Sequence, residues 1–335
     1  MFTKTIIAFF TLLSTAFCYA EVEKLELDIF NYEDVIKNDE ATIAKMRKSL
    51  LEKGIAGIRG VPGYKEAAAK FIETAKAFSM LDEATKNQYA PNRHAGEFLG
   101  YEIGAEKFKR PDGSWVIDDA KASYYFFVPD KAENVWPKEV DLQKDANAIT
   151  SIMFNVGCDF FRKVDLMKSG CYLPLDKLYG VARMLHYRKQ SDETMNNPYW
   201  CGAHFDHGLF TALMPAFYFV NGEQVSEPEE AGLFVRTGDK EFFKVDANDP
   251  DVMLFQVGEF GQLATNDDIR ATEHRVHKAR GGIERYTLAV FFDPPMDTVI
   301  HSNSVLAEDS RYGAKPGEGC SFIQWHLSSL KRYLV

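Results

Sequence analysis

Apolar and polar positions divide the chain into two textures. Leu25, Glu26, Leu27, Asp28 and Ile29 alternate with period two, which predicts a half-buried strand. Ile43, Met46 and Leu50 recur at helical spacing and predict an amphipathic helix over 39–52, ended by Gly54. Residues 55–58 predict a second strand, stopped by Gly60 and Pro62. Ala68, Phe71, Ile72, Ala75 and Phe78 share one face of a helix over 64–81, and Asp82 and Glu83 open a short polar helix. The stretch 94–118, rich in Gly and charge, predicts an irregular connection. Another amphipathic helix over 147–166 carries Ile149, Ile152, Met153, Val156, Phe160 and Phe161.

Beyond Val181 short apolar and aromatic runs at 184–187, 209–220, 232–235, 242–245, 252–257 and 286–292 alternate with Gly, Pro, Asn and Asp. That spacing predicts a sandwich or barrel. Residues 322–334 predict a terminal helix, and no repeat, low-complexity segment or flexible linker interrupts the chain. The pattern predicts a helical front on an all-β core. An amino-terminal region over 21–130 and a β-rich region over 131–335 form one compact unit.

Composition narrows the function. The 335 residues are 46% hydrophobic and 13% aromatic, within the globular range. A net charge of -10 excludes a uniformly basic nucleic-acid footprint. No phosphate-cradling Gly loop or dinucleotide fingerprint is present. At the amino terminus Lys4 precedes an apolar run over 6–17, then Cys18, Tyr19 and Ala20 before Glu21, the pattern of a secretory signal over 1–20 cleaved after Ala20. The run is shorter than the roughly 20 apolar residues of a spanning helix, so no stable membrane insertion is expected after cleavage. An exported location follows, with the cytoplasm the alternative if the leader is not one. Cys158, Cys171, Cys201 and Cys320 remain in the mature chain, too few for a disulfide scaffold, and unpaired thiols are expected.

Candidate chemistry concentrates in the segment running Gly202, Ala203, His204, Phe205, Asp206, His207, Gly208, Leu209, Phe210, Thr211. On an extended strand residues two apart point the same way, so His204 and Asp206 present an imidazole and a carboxylate to one point while His207 faces elsewhere. A His-x-Asp triplet alone is common. His274, followed by Arg275, Val276 and a turn at Gly281 and Gly282, is the candidate third ligand, and His277 falls on the opposite strand face. Arg285 and Thr287, again two apart, offer a planar fork and a hydroxyl to a carboxylate. Two His and one carboxylate on one face of an octahedral metal leave open positions, which suits Fe(II) oxygenases.

The order His-x-Asp, His-Arg-Val, Arg-x-Thr resembles the isopenicillin N synthase-like group of 2-oxoglutarate- and Fe(II)-dependent oxygenases. The resemblance spans nearly the whole mature chain, including the Gly-containing strand at 54–60, Gly100 with Tyr101, and the run Arg183, Met184, Leu185, His186, Tyr187. It implies an α+β fold with a double-stranded β-helix (jelly-roll) core, an amino-terminal helical and mixed region, and flanking helices. It implies His204, Asp206 and His274 as Fe(II) ligands, with Arg285 and Thr287 holding the distal carboxylate of 2-oxoglutarate and Tyr187 assisting. Dioxygen and a small organic substrate complete the reaction, by default a hydroxylation releasing succinate and CO2. Thr287 stands where Ser is usual, Arg188 where Pro commonly follows the Tyr, and His207 is unusual after the Asp, but none removes a ligand. The rival readings are a 2-oxoglutarate-independent Fe(II) oxidase of the same fold and a non-catalytic exported jelly-roll binding protein. A monomer is expected. Tyr101, Trp200, Phe255 and Phe292 are candidates for a substrate wall, with core packing the commoner fate of such rings. His207 is expected at the rim or supporting a ligand, and 227–230 in a solvated loop.

Overall fold

The computed structural model describes residues 22–110, 112–164, 177–190, 197–238, 241–246, 249–315 and 318–332. The expected signal at 1–20 and Cys171 lie outside the described residues. The single strand expected at 25–29 is corrected to two. Strand β1 (Lys24–Leu25) pairs in parallel with residues 244–245, whereas β2 (Ile29–Asn31) pairs in parallel with residues 57–59, in another sheet. Leu25, Leu27 and Ile29 still pack on one core, so the alternation recorded burial correctly while the backbone changed partners.

Helix α1 (Tyr32–Ile36) leads to α2 (Glu40–Glu52), whose N-cap Asp39 accepts from Thr42 N at 2.7 Å. Gly54, at φ 73°, ends it in the left-handed region that other residues avoid. Strand β3 (Ile55–Arg59), α3 (Tyr64–Ser79) and α4 (Glu83–Asn87), capped by Asp82, follow the predicted order. The stretch expected to be irregular instead holds β4 (Gly100–Ile103) and the hairpin of β5 (Lys107–Lys109) and β6 (Trp115–Ile117). Three-residue strands are too short for a period-two pattern to be read. Strand β7 (Lys121–Val128) was also hidden, because it is buried on both faces and so shows no alternation. Helix α5 (Leu142–Val164) is the longest helix among the described residues.

The β-rich half comprises β8 (Tyr179–Tyr187), β9 (Tyr199–His204), β10 (Phe210–Leu213), β11 (Phe217–Val220), β12 (Glu223–Val225), β13 (Gly232–Arg236), β14 (Phe242–Val245) and β15 (Met253–Val257). After them come α6 (Glu259–Ala264), β16 (Glu273–His277), β17 (Glu284–Asp293), the short pair β18 (Val299–Ile300) and β19 (Cys320–Ser321), and α7 (Phe322–Leu330). The run at 209–220 is therefore two strands, broken at Pro215.

One sheet runs β1-β14-β13-β16-β9. The larger runs β2-β3-β15-β10-β17-β8-β7-β4, with β11 paired to β17 and β12 to β11. This sheet takes strands from both sides of residue 130, so the two regions read in the sequence share one backbone hydrogen-bond network. Alternation in the large sheet sorts side chains between two cores. Tyr286, Leu288, Val290 and Phe292 of β17 face α3 and α5, with Phe71, Phe78 and Phe160. Leu185 and Tyr187 of β8, Leu254 of β15 and Ala289 of β17 face the small sheet, meeting Leu233, Val235, Val245 and Val276. This two-sheet core with helices on one outer face is a jelly roll. No helix among the described residues is long and apolar enough to cross a membrane.

Candidate active site

The period-two rule that fills the inter-sheet core also builds the site. Residues that point between the sheets, at the open end of the sandwich, are polar instead of apolar: Thr211 on β10, Gln256 on β15, His274 on β16, and Arg285 and Thr287 on β17. They line a cavity of about 290 Å³ whose apolar walls include Leu185, Leu213, Leu254 and Phe291.

His204 closes β9, and Asp206 lies just beyond the strand, not on it. The same-face argument thus reached the right pair although the strand stops short. His274 is paired with His204 across β9 and β16, and their ring centroids are 4.2 Å apart. One ligating atom from each of His204, Asp206 and His274 lies within 4.8 Å of the others. His204 Nε2 and His274 Nε2 stand 3.8 and 3.7 Å from Asp206 Oδ1.

The backbone sets the proton on each ring. His204 Nδ1 lies 2.8 Å from Gly202 O and His274 Nδ1 3.0 Å from Thr272 O. A carbonyl can only accept, so each Nδ1 carries the proton and each Nε2 keeps its lone pair. Asp206 is set in the same way. Its Oδ2 accepts from Thr211 Oγ1 at 2.5 Å and Gln256 Nε2 at 2.7 Å, which leaves Oδ1 facing the two imidazoles. Burial opposes ionisation of Asp206, but His274, His204 and these two donors outweigh it and hold its carboxyl below the usual range. Burial, then His204, pushes His274 down to about 4, so it is neutral at physiological pH. Two imidazole Nε2 atoms and one carboxylate oxygen converge, with the Gln256 amide that orients Asp206 standing 3.2 Å from His274 Nε2, a donor set that fits a divalent transition metal.

Arg285 is buried beside this group. Its Nε donates to Tyr218 Oη at 3.2 Å, its plane lies 4.8 Å from the Tyr187 ring, and its Nη1 has no partner among the described residues. Tyr187 thus supports the guanidinium through its ring. Thr287 Oγ1 donates to Met214 O at 2.6 Å, so the hydroxyl is committed to the backbone and Arg285 is the stronger anchor for a carboxylate.

Other expectations resolve by face. His277 stacks on Phe234 with centroids 3.9 Å apart, on the strand face away from His274. His207 lines the cavity, and its Nε2 meets His326 Nδ1 of α7 at 3.0 Å, a pairing no sequence spacing suggested. Tyr101, Trp200, Phe255 and Phe292 are core residues: Tyr101, Phe255 and Phe292 join the helix-facing cluster, and Trp200 is sealed between the sheets. The aromatic wall near the site comes from Phe108 and Trp115 of the β5–β6 hairpin. A Cβ on Gly202 would meet Phe108 at 2.7 Å, so the hairpin rests on β9 only because glycine is there. Lys121 adds a polar wall, 2.8 Å from Glu106, 2.9 Å from Asp118 and 3.5 Å from Cys201 Sγ. Cys201 lines the cavity, and Cys158, Cys201 and Cys320 are free thiols. Glu227, expected in solvent, has a side chain only 9% exposed at the cavity edge.

Sequence reasoning missed Thr211 and Gln256. Both carry a readable signal, a lone polar residue facing inward on an otherwise apolar strand, which must find a partner once buried.

Known proteins agree with this geometry. The 2OG-Fe(II) oxygenase superfamily profile matches residues 179–294, the span from β8 to the end of β17. The chain is 26% identical over 257 residues to the 2-oxoglutarate-dependent dioxygenase gloF of Glarea lozoyensis, covering 68% of this chain and 74% of that one. It is 25% identical over 315 residues to the proline hydroxylase buaE of Petromyces alliaceus, covering 87% and 94%. The fold is shared with a full-length Neurospora crassa protein crystallised in complex with alpha-KG, at a TM-score of 0.71, 19% identity, and 93% and 99% coverage. The match to the 2OG-Fe(II) oxygenase superfamily thus covers the jelly-roll strands that carry the site. The chain is an oxidoreductase whose chemistry uses Fe(II), 2-oxoglutarate and dioxygen.

Proposed function

We propose that His204, Asp206 and His274 hold the Fe(II), that Arg285 takes the distal carboxylate of 2-oxoglutarate with Thr287 and Tyr187 beside it, and that the enzyme hydroxylates a small organic substrate, releasing succinate and CO2. The observation that carries this reading is the convergence of two Nε2 lone pairs and Asp206 Oδ1 within 4.8 Å, next to a buried Arg285 whose Nη1 has no partner among the described residues. When bound, the metal supplies dioxygen activation coupled to decarboxylation of the co-substrate. The protein contributes fixed tautomers, an oriented carboxylate, an anchoring guanidinium and a cavity with largely apolar walls. The apolar walls and the Phe108 and Trp115 rings suit a compact substrate with an apolar body, and the relative named as a proline hydroxylase supports hydroxylation of a small molecule. The same proposal includes cleavage of residues 1–20 as a leader and an exported monomer. Amino-terminal sequencing of the mature protein checks the cleavage.

The test is succinate formation from 2-oxoglutarate in air with Fe(II). The wild type is expected to form succinate, and His204→Ala or Asp206→Ala to abolish it while keeping the fold. Arg285→Ala is expected to raise the KM for 2-oxoglutarate by about tenfold or more, through loss of a charge-assisted pair. Unchanged turnover by either ligand variant overturns the assignment. A metal-loaded wild type that oxidises a substrate without forming succinate favours the 2-oxoglutarate-independent oxidase.

A further inference from the structure

A buried guanidinium ordinarily sits against a carboxylate, because an uncompensated charge in a poorly polarisable interior is costly. Arg285 is 6% exposed, yet it makes no ion pair among the described residues. A carboxylate is close. Glu227, in the connection between β12 and β13, reaches the edge of the same cavity, and Tyr218 stands between the two. Tyr218 Oη accepts from Arg285 Nε at 3.2 Å and donates to Glu227 Oε2 at 2.7 Å. Burial pushes the Tyr218 hydroxyl far above its ordinary value, so it remains a donor to the carboxylate. On the other side of Glu227, Lys244 Nζ lies 3.0 Å from Oε1. Lys244 is 2% exposed and donates to Pro228 O at 2.7 Å and Glu229 O at 3.0 Å, which fixes the ammonium under the carboxylate. The backbone is shaped around this arrangement: Gly232 sits at φ 105°, and a Cβ there would stand 2.8 Å from the Glu227 carboxyl.

We propose that Lys244 and Tyr218 hold Glu227 away from Arg285, keeping the guanidinium oriented but unpaired for the 2-oxoglutarate carboxylate. This rests on the co-substrate reading above. Lys244 neutralises Glu227, so the attraction that would draw the carboxylate onto Arg285 is weakened. Tyr218 occupies the direct path and pins Nε, which leaves Nη1 for the ligand. Tyr218, Glu227 and Lys244 are positioning residues, each acting through Arg285.

The test measures 2-oxoglutarate affinity of the Mn(II)-loaded protein by calorimetry, which needs no turnover, together with the KM and kcat of the Fe(II) enzyme. Lys244→Met is expected to release Glu227 onto Arg285 and weaken 2-oxoglutarate binding about tenfold or more, with kcat at saturating co-substrate nearly unchanged. Adding Glu227→Gln to that variant removes the competing charge and is expected to restore affinity, which a merely structural role for Lys244 would not do. Tyr218→Phe is expected to weaken binding about threefold to tenfold, again with kcat retained. Wild-type affinity in Lys244→Met, or no recovery in the double variant, overturns the inference. Should Lys244→Met not fold, Tyr218→Phe decides it, and unchanged affinity there overturns it. A wild type that binds no 2-oxoglutarate overturns the co-substrate reading and this inference together. A wild type that binds it with every variant unaltered overturns this inference alone.

Discussion

At the scale of single residues, the site depends on which atom of each side chain is already occupied. Gly202 O and Thr272 O take the Nδ1 protons, and Thr211 and Gln256 take one oxygen of Asp206. What remains is aimed at one point. Removing such outer partners typically costs about 10- to 100-fold in metal affinity. Thr211→Val, nearly the same shape without the donor, is therefore expected to weaken Mn(II) or Fe(II) binding by about tenfold while leaving the melting temperature close to wild type. Metal titration followed by calorimetry reads this directly, and an unchanged affinity would show that Gln256 alone orients the carboxylate. His204, Asp206, His274, Arg285 and Thr287 were legible as a spaced set of residue types. Thr211 and Gln256 were not singled out, since their partner in each case lies on another element.

At the scale of elements, α5 and β17 set the rigidity of the strand that carries Arg285 and Thr287. The helix approaches the sheet at Gly157, where a Cβ would fall 2.2 Å from the Phe292 ring. Phe292 cannot yield easily, because it stacks on Phe154 at 5.2 Å and meets Phe161 at 5.2 Å. A Gly→Ala change inside a helix is ordinarily favourable by about 1 kcal/mol. Here overpacking is expected to reverse the sign, with Gly157→Ala less stable by about 1–3 kcal/mol in urea denaturation. A stabilised variant would show that the helix can shift outward without loss. The helical pattern of Ile149, Met153, Val156 and Phe160 named the buried face of α5, but the closeness of its approach depends on a residue more than a hundred positions away. The β5–β6 hairpin was invisible for a different reason: three-residue strands owe their existence to pairing and to the seat of Phe108 on Gly202, not to a local pattern.

At the scale of the whole molecule, burial holds several imidazoles neutral. Burial, then His326, lowers His207 to about 3. Burial, then His204, lowers His274 to about 4. Burial, then Arg275, lowers His277 to about 4. The unfolded chain protonates these rings near pH 6.5, so between pH 6.5 and about 4 the unfolded state binds more protons than the folded one. Their contribution to stability is complete above pH 6.5 and is lost as pH falls through that window. The metal-free protein is expected to lose on the order of a few kcal/mol over it, seen as a falling melting temperature by scanning calorimetry. A flat profile from about pH 7 to about 4.5 would mean that these rings are not buried neutral. The sequence by itself determined the two textures, the order of the main helices and strands, and the set of candidate ligands. Periodicity reports how each residue divides its surface between core and solvent, and that information is local. Only the tertiary structure decided that residues 25–29 serve two sheets, that the aromatic candidates belong to the core, and that Glu227 is buried beside Lys244. Strand partners, and the neighbours of a buried charge, are fixed by contacts between distant segments. The His204, Asp206 and His274 set therefore existed in the sequence as types and spacing, and became one point in space only when β9 paired with β16.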